Sequence, residues 1–202
     1  MENIDNILEN LHLESYLSVE EMPELDLYMD QVIQLFENKL EKSKRNEEEK
    51  VLTKTMINNY AKGKLIFPIE NKKYSKSHLI LISMIYQLKG ALSIKDIIKT
   101  LEKLNEKIVE EDFNVENVYR SYENLSKNNA KQFSNDVYEC LEQVKNEVAP
   151  IKDEDSEYLE QLLLIASLVN MSNYYRKLAE RLVDSITPPA EEKPKKSKKK
   201  SE

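Results

Sequence analysis

Only two glycines, Gly63 and Gly90, occur in the 202 residues of this chain. Hairpins and tight turns draw on residues that tolerate a left-handed backbone, so a β-sandwich built of many short strands is excluded. A glycine-rich phosphate loop is excluded on the same ground. The apolar pattern gives the positive reading. Ile4, Ile7, Leu8 and Leu11 recur at helical spacing and predict a short first helix. Pro23 reads as the first-turn proline of a second helix, which carries Leu27, Met29, Val32, Ile33, Leu35, Phe36 and Leu40 to about Lys42. Residues 44–49 hold no apolar side chain and read as a loop or a frayed helix end.

The central block alternates in character. Thr53 is a good N-cap for a helix over Lys54 to Lys62, and Gly63 is placed to end it in a left-handed conformation. Leu65-Ile66-Phe67-Pro68-Ile69 is extended in character, because its proline bars helix. Residues 70–73 form a polar turn that Tyr74 closes, giving a short hairpin or wing, the only strand signal in the chain. Ser75 caps a helix with an apolar stripe of Leu79, Ile82, Met84, Ile85 and Leu88, which Gly90 breaks. Ser93 starts another, with Ile94, Ile97, Ile98, Leu101 and Leu104 as its buried face. Two longer helices follow, one over about Val115 to Val148, either unbroken or interrupted at Ser126 to Asn129, and one over about Glu157 to Ile186. The last is apolar on most sides between Leu162 and Met171, so much of its surface has to be buried against something. The fold class is therefore mainly α. The expected layout is a helical lead-in over 1–24, a compact module over 25–109, a helical part over 110–186 and a disordered Lys-rich tail over 187–202.

Charge singles out the central block. The chain carries a net −7, which argues against a protein that simply coats nucleic acid. Residues 1–49 contain 14 acids and 4 bases, whereas residues 50–76 contain seven lysines and Glu70 alone. A focused positive island can hold a polyanion while the acidic remainder keeps the chain soluble.

Other function classes find little support. With two histidines and one cysteine, Cys140, there is no His/Cys metal cluster, no Cys-His pair at recognisable spacing and no intrachain disulfide. Acid pairs such as Glu20-Glu21 and Glu110-Glu111-Asp112 sit at helix starts or in loops and read as solvated runs. No enzyme, cofactor or metal is expected. The lone cysteine, the acidic N-terminus without a signal pattern and the brevity of the apolar run Tyr158–Met171 indicate a cytoplasmic protein with no membrane association.

The order helix, wing, helix, glycine turn, helix over residues 53–104 resembles the MerR family of winged-helix regulators. The resemblance is carried by Tyr60 at the end of the recognition helix, by Leu65-Ile66-Phe67-Pro68 approaching the wing and by Tyr74-Ser75 at its close. Leu88-Lys89 and the helix start Ser93-Ile94-Lys95-Asp96-Ile97 complete it. The whole chain also resembles an uncharacterised bacterial family filed as a domain of unknown function. The MerR resemblance implies a winged helix-turn-helix DNA-binding domain, a double-stranded DNA partner and a homodimer formed through the C-terminal helices. This chain departs from the MerR pattern in carrying Asn58-Asn59-Tyr60 where the family has Arg-Tyr-Tyr, in a Leu88–Ser93 spacing one residue short, and in a charged loop before Thr53. The first helix of the helix-turn-helix then comes from Asp26 to Lys42.

Residue chemistry agrees with that reading. Lys54, Thr55, Asn58, Asn59 and Lys62 offer hydrogen-bond donors, and the last four share one helical stripe. Asparagine pairs bidentately with adenine, while lysine and threonine reach phosphates or base edges. Lys64, Lys72, Lys73 and Lys76 are expected on phosphates or in the minor groove. Pro68 and Tyr74 anchor the wing. Tyr60 either packs beneath it or bonds a phosphate, and His78 reads as a helix-surface or first-turn residue. Cys140 reads as a buried or half-buried thiol. The last helix has two readings, a dimer seam or a bundle against residues 115–148 of the same chain. Two functions follow: a sequence-specific transcriptional regulator without an evident ligand sensor, or a helical adaptor that keeps the winged-helix shape as scaffold.

Overall fold

Helices begin where side chains can satisfy the free N–H groups of a first turn. In the computed structural model, which describes residues 4–111 and 113–186, Thr53 Oγ1 accepts the Met56 N–H at 3.2 Å. Ser93 and Asp96 form a reciprocal box: Ser93 Oγ accepts the Asp96 N–H, and the Asp96 carboxylate accepts the Ser93 N–H, both at 3.2 Å. Asn114 Oδ1 accepts from the Glu116 and Asn117 N–H groups. The helices are α1 Ile4–Asn10, α2 Met29–Leu40, α3 Lys54–Lys62, α4 Lys76–Leu88, α5 Ile94–Glu110, α6 Val115–Val148 and α7 Ser156–Ser185. Single 3-10 turns lie at Val19–Glu21, Glu41–Ser43 and Ala149–Ile151. No helix among the described residues is long and apolar enough to cross a membrane. The expected tail over 187–202, and Asp112 of the acidic run, lie outside the described residues.

The strands differ from expectation. Leu27 and Tyr28 do not belong to the second helix. They form β1, which pairs antiparallel with β2, Lys73–Tyr74, in the register Leu27↔Tyr74 and Tyr28↔Lys73. Pro23 accordingly stands in the chain before β1 and does not start a helix. The apolar run at 65–69 contributes no strand. Leu65 and Ile66 are drawn into the core, at 1% and 3% exposure, and Pro68 has no N–H to give a ladder. At the tip, Glu70 bridges Lys73 across Asn71 and Lys72, with the Lys73 N–H donating to Glu70 O at 2.9 Å. Asn71 and Lys72 both have positive φ, 50° and 59°, the signature of a type I′ turn.

Gly63 serves another purpose than the expected left-handed cap. Its φ is −80°, and Lys64 takes the left-handed position at 57°. A Cβ on Gly63 would lie 2.8 Å from Leu65 Cδ1 and 3.0 Å from Asn59 O, so the glycine makes room for Leu65 to turn back under α3. Of the two readings of α6, the unbroken one holds, and the helix runs through residues 126–129. Those four residues are polar and uncapped, but no proline stops the backbone and both flanks are anchored by packing.

The core is organised around α4, where Leu79, Ile80, Leu81, Ile82 and Ile85 are fully buried. Each such side chain stabilises the fold by about 1.5–3 kcal/mol relative to exposure. The same cluster takes in Leu17, Val19 and Met22 before residue 25, and Val115 and Tyr119 after residue 109, so packing does not stop at either expected boundary. Hydrogen bonds secure both ends of it. Tyr119 Oη donates to Leu17 O at 2.9 Å and lies 2.6 Å from Ser83 Oγ, and buried Glu123 accepts the Val19 N–H at 2.9 Å. Burial pushes the Tyr119 phenol well above its ordinary range.

A smaller cluster joins α6 to α7 through Leu141, Val144, Val148 and Leu164, with Ile4 of α1 packed against it. Cys140, half-buried there, has its Sγ 3.3 Å from Ser167 Oγ. The far end of α7 reaches α5, where Lys99 Nζ donates to Asp184 O at 3.1 Å. Within one chain α7 is covered on one side only. Leu164 and Val183 are buried, while Leu162, Ile165, Val169, Tyr174, Leu178 and Leu182 are 45–61% exposed. Ile94, expected in the core, is also half-exposed, because it occupies the first position of α5 beyond the packed face.

Candidate nucleic-acid interface

α3 has two unlike sides. Ile57 and Tyr60 are 0% and 4% exposed and fasten it to the core, which turns Lys54, Thr55, Asn58, Asn59 and Lys62 outward, all exposed. The stripe read from spacing is therefore a real surface. Tyr60 packs: its ring is buried, and desolvation raises its phenol above the ordinary value. At the foot of the helix Lys54 pairs with Asp30 of α2 at 2.8 Å. This contact couples the first turns of α2 and α3, although both partners are solvent-exposed and the pair contributes little stability.

Beyond α3 the chain turns at exposed Lys64 and returns through residues 65–74. Lys72 is exposed at the tip. Lys73 is half-buried along its stem, and its Nζ lies 5.4 Å from the Tyr28 ring centroid across the sheet. Tyr74 is 3% exposed and meets His78 edge-on, whereas Pro68 lies at the surface. Asn105 of α5 donates to Leu65 O at 3.1 Å and to Leu101 O at 3.0 Å, holding the segment that leads into β2. Among the described residues Lys62, Lys64 and Lys72 form no ion pair, so their charges face solvent without a carboxylate beside them.

Two residues stand elsewhere than the sequence suggested. Lys76, read as a phosphate contact, bonds Glu24 at 2.5 Å and Glu116 at 3.4 Å, and its side chain is 13% exposed. The Glu24 and Glu116 carboxylates hold its ammonium above the ordinary lysine range and neutralise it within the protein. His78, read as a helix-surface or first-turn residue, lies in the first turn of α4 but is buried, at 4% exposure. Its ring lies 3.8 Å, centroid to centroid, from Phe67, and Nδ1 accepts the Ser75 N–H at 3.1 Å. Burial lowers its pKa below the usual histidine value, against the opposing pull of the Phe67 and Pro68 backbone and the Asp26 charge.

Two further surface residues escaped the pattern. Tyr28 is 54% exposed beside Lys73, and Asn71 holds the left-handed first position of the tip. Tyr28 reads as helical because it lies between Pro23 and the stripe of Met29, Val32, Ile33 and Phe36. The one hint to the contrary was a β-favouring aromatic placed just before a polar first turn.

No group of His, Cys, Asp and Glu among the described residues could hold a metal ion. An open groove of about 880 Å³ lies between the Gly90–Ala91 turn, α6 and α7, with Phe133, Val137, Leu168 and Tyr175 among its apolar walls.

A family model described as a domain of unknown function, DUF1836, matches residues 17–122. That span opens at Leu17 and closes at Tyr122, the first and last residues of the larger hydrophobic cluster, so the matched unit and the α4-centred core coincide. No curated protein and no solved structure matches the chain.

Proposed function

The chain belongs to the DUF1836 family, a domain of unknown function, and from that premise we propose that it is a sequence-specific DNA-binding transcriptional regulator with a winged helix-turn-helix of the MerR kind. The observation that carries this reading is α3 itself: a short helix held by Ile57 and Tyr60, with Thr55, Asn58, Asn59 and Lys62 outward. Two adjacent asparagines in mid-helix each cost about half a kcal/mol of helix propensity, which makes them poor filler for a bland surface. On a duplex they would read base edges, while Lys62, Lys64 and Lys72 would neutralise phosphates. The order β1, α2, α3, β2, α4 is consistent with a winged helix in which the return strand of the wing pairs with the strand before the first helix. A twofold dimer through α7 would bring two such surfaces to inverted half-sites.

The test is duplex binding across a salt series, with DNA from upstream of the protein's own gene and an unrelated duplex of equal length. Asn58→Ala with Asn59→Ala is expected to erase the preference between the two. Lys72→Ala is expected to weaken both alike and to lower the salt slope by about one. Unchanged binding in both variants would overturn the assignment.

A second reading rests on the exposed apolar side of α7 and the groove beside it. In that reading the protein is a helical adaptor whose α7, or the helices within residues 1–49, hold another protein. It predicts no duplex affinity at moderate salt.

A further inference from the structure

The two-stranded ribbon has an inner and an outer face. Leu27 and Tyr74 oppose one another across it, and buried Tyr74 marks that pair as inward. Alternation along each strand then turns Tyr28 and Lys73 outward as the next cross-strand pair. The Lys73 ammonium lies 5.4 Å from the Tyr28 ring centroid, within cation–π range. Tyr28 is a fixed platform for it. Its backbone is engaged in the ladder, and its N–H donates to Gln31 Oε1 at 2.8 Å. Two residues on, Asp30 holds Lys54 at the start of α3, so the ribbon and α3 are tied to the same first turn of α2.

The partner of each lysine decides what the lysine can still do. Lys54 and Lys76 rest against carboxylates, which compete with any phosphate for the same ammonium. Lys73 rests against an uncharged ring, which restrains the side chain and leaves its full positive charge available. A lysine restrained beforehand loses less conformational entropy when an anion fixes it.

We propose that Tyr28 is a positioning residue for duplex binding, whose ring holds Lys73 out from the ribbon to meet a backbone phosphate. The inference rests on the DNA-binding reading above. It extends the interface from α3 and the wing tip to the strand that precedes α2.

The experiment measures duplex affinity by fluorescence anisotropy over a salt series for the full chain and for Tyr28→Phe, Tyr28→Trp, Tyr28→Leu, Lys73→Met and the Tyr28→Leu/Lys73→Met double variant. Melting curves confirm that each is folded. Tyr28→Phe and Tyr28→Trp keep a π face and are expected to bind as the parent does. Tyr28→Leu is expected to weaken binding by about threefold, the size of an exposed cation–π contact. Lys73→Met is expected to lower the salt slope by about one, and the double variant to bind no more weakly than Lys73→Met alone. The proposal is overturned if Tyr28→Leu binds like the parent, if Tyr28→Phe is as weak as Tyr28→Leu, or if the double variant loses the product of the single effects. Absence of salt-sensitive binding by the unaltered protein overturns the DNA reading itself, a result distinct from a loss confined to the Tyr28 variants.

Discussion

Protonating one imidazole would unsettle the packing behind the two-stranded ribbon. His78 Nδ1 accepts the Ser75 N–H, which requires that nitrogen to be bare, and its ring lies against Phe67 in a site almost closed to water. Burial depresses its pKa, so the folded protein keeps the ring neutral at a pH where the unfolded chain already binds a proton near the ordinary value of 6.5. Acid therefore favours the unfolded state: this stability is complete well above 6.5 and declines as the pH falls through it. Denaturant melts of the parent and of His78→Asn between pH 7.5 and 5.5 are expected to show a steeper loss for the parent. Exposed His12 and the carboxylates are common to both and cancel in the comparison. Equal slopes would mean that the buried ring titrates normally. The burial was not legible in the sequence, where His78 stands three residues after a serine cap and reads as a helix-surface or first-turn residue; its place in the first turn was. Lys76 misled in the same way. Its charge was plain, but the carboxylates that neutralise it come from residues 24 and 116, and spacing along a chain does not reveal such distant partners.

The turn between Glu70 and Lys73 has a shape and a composition that disagree. Type I′ geometry places both central residues at positive φ and favours Asn-Gly, whereas this chain has Asn71-Lys72. Asparagine tolerates the left-handed region, but lysine there costs about 1 kcal/mol or more. Lys72→Gly is accordingly expected to raise the melting temperature while weakening duplex binding and flattening its salt dependence. A variant that is more stable and binds equally well would show that the lysine charge is not used. Most helices were legible because capping residues and apolar periodicity point the same way: Thr53, Ser75 and Ser93 all start helices. The ribbon was only half legible. Its turn could be read from the polar run, but each strand is two residues long, and the pairing of residue 27 with residue 74 spans α2 and α3. Pattern within a window cannot report a contact of that range.

At the scale of the molecule the unanswered surface is the outer side of α7. Leu162 and Ile165 are 45% and 55% exposed, so replacing both with glutamate should leave the single chain folded. If α7 is the seam of a dimer, sedimentation will show the parent as a dimer and the Leu162→Glu/Ile165→Glu variant as a monomer with weaker binding to a paired site. A monomeric parent would move α7 to the adaptor reading. The sequence left the last helix between a bundle and a seam, and the structure accounts for one side of it and leaves the other open. The extent of the core was not legible either, since Leu17 and Tyr119 become neighbours only when distant segments close around α4.

α6 is anchored in both clusters, by Val115 and Tyr119 at one end and by Leu141, Val144 and Val148 at the other. Between Tyr119 and Leu141 the helix spans roughly 33 Å at 1.5 Å per residue, and it contains neither proline nor glycine. Mechanically that makes it a stiff lever. A torque applied to the distal hairpin would be carried along the helix without a kink to absorb it. It arrives at Tyr119 and Glu123, where the rod is bolted to the backbone of residues 17–19 and to the Ser83 hydroxyl.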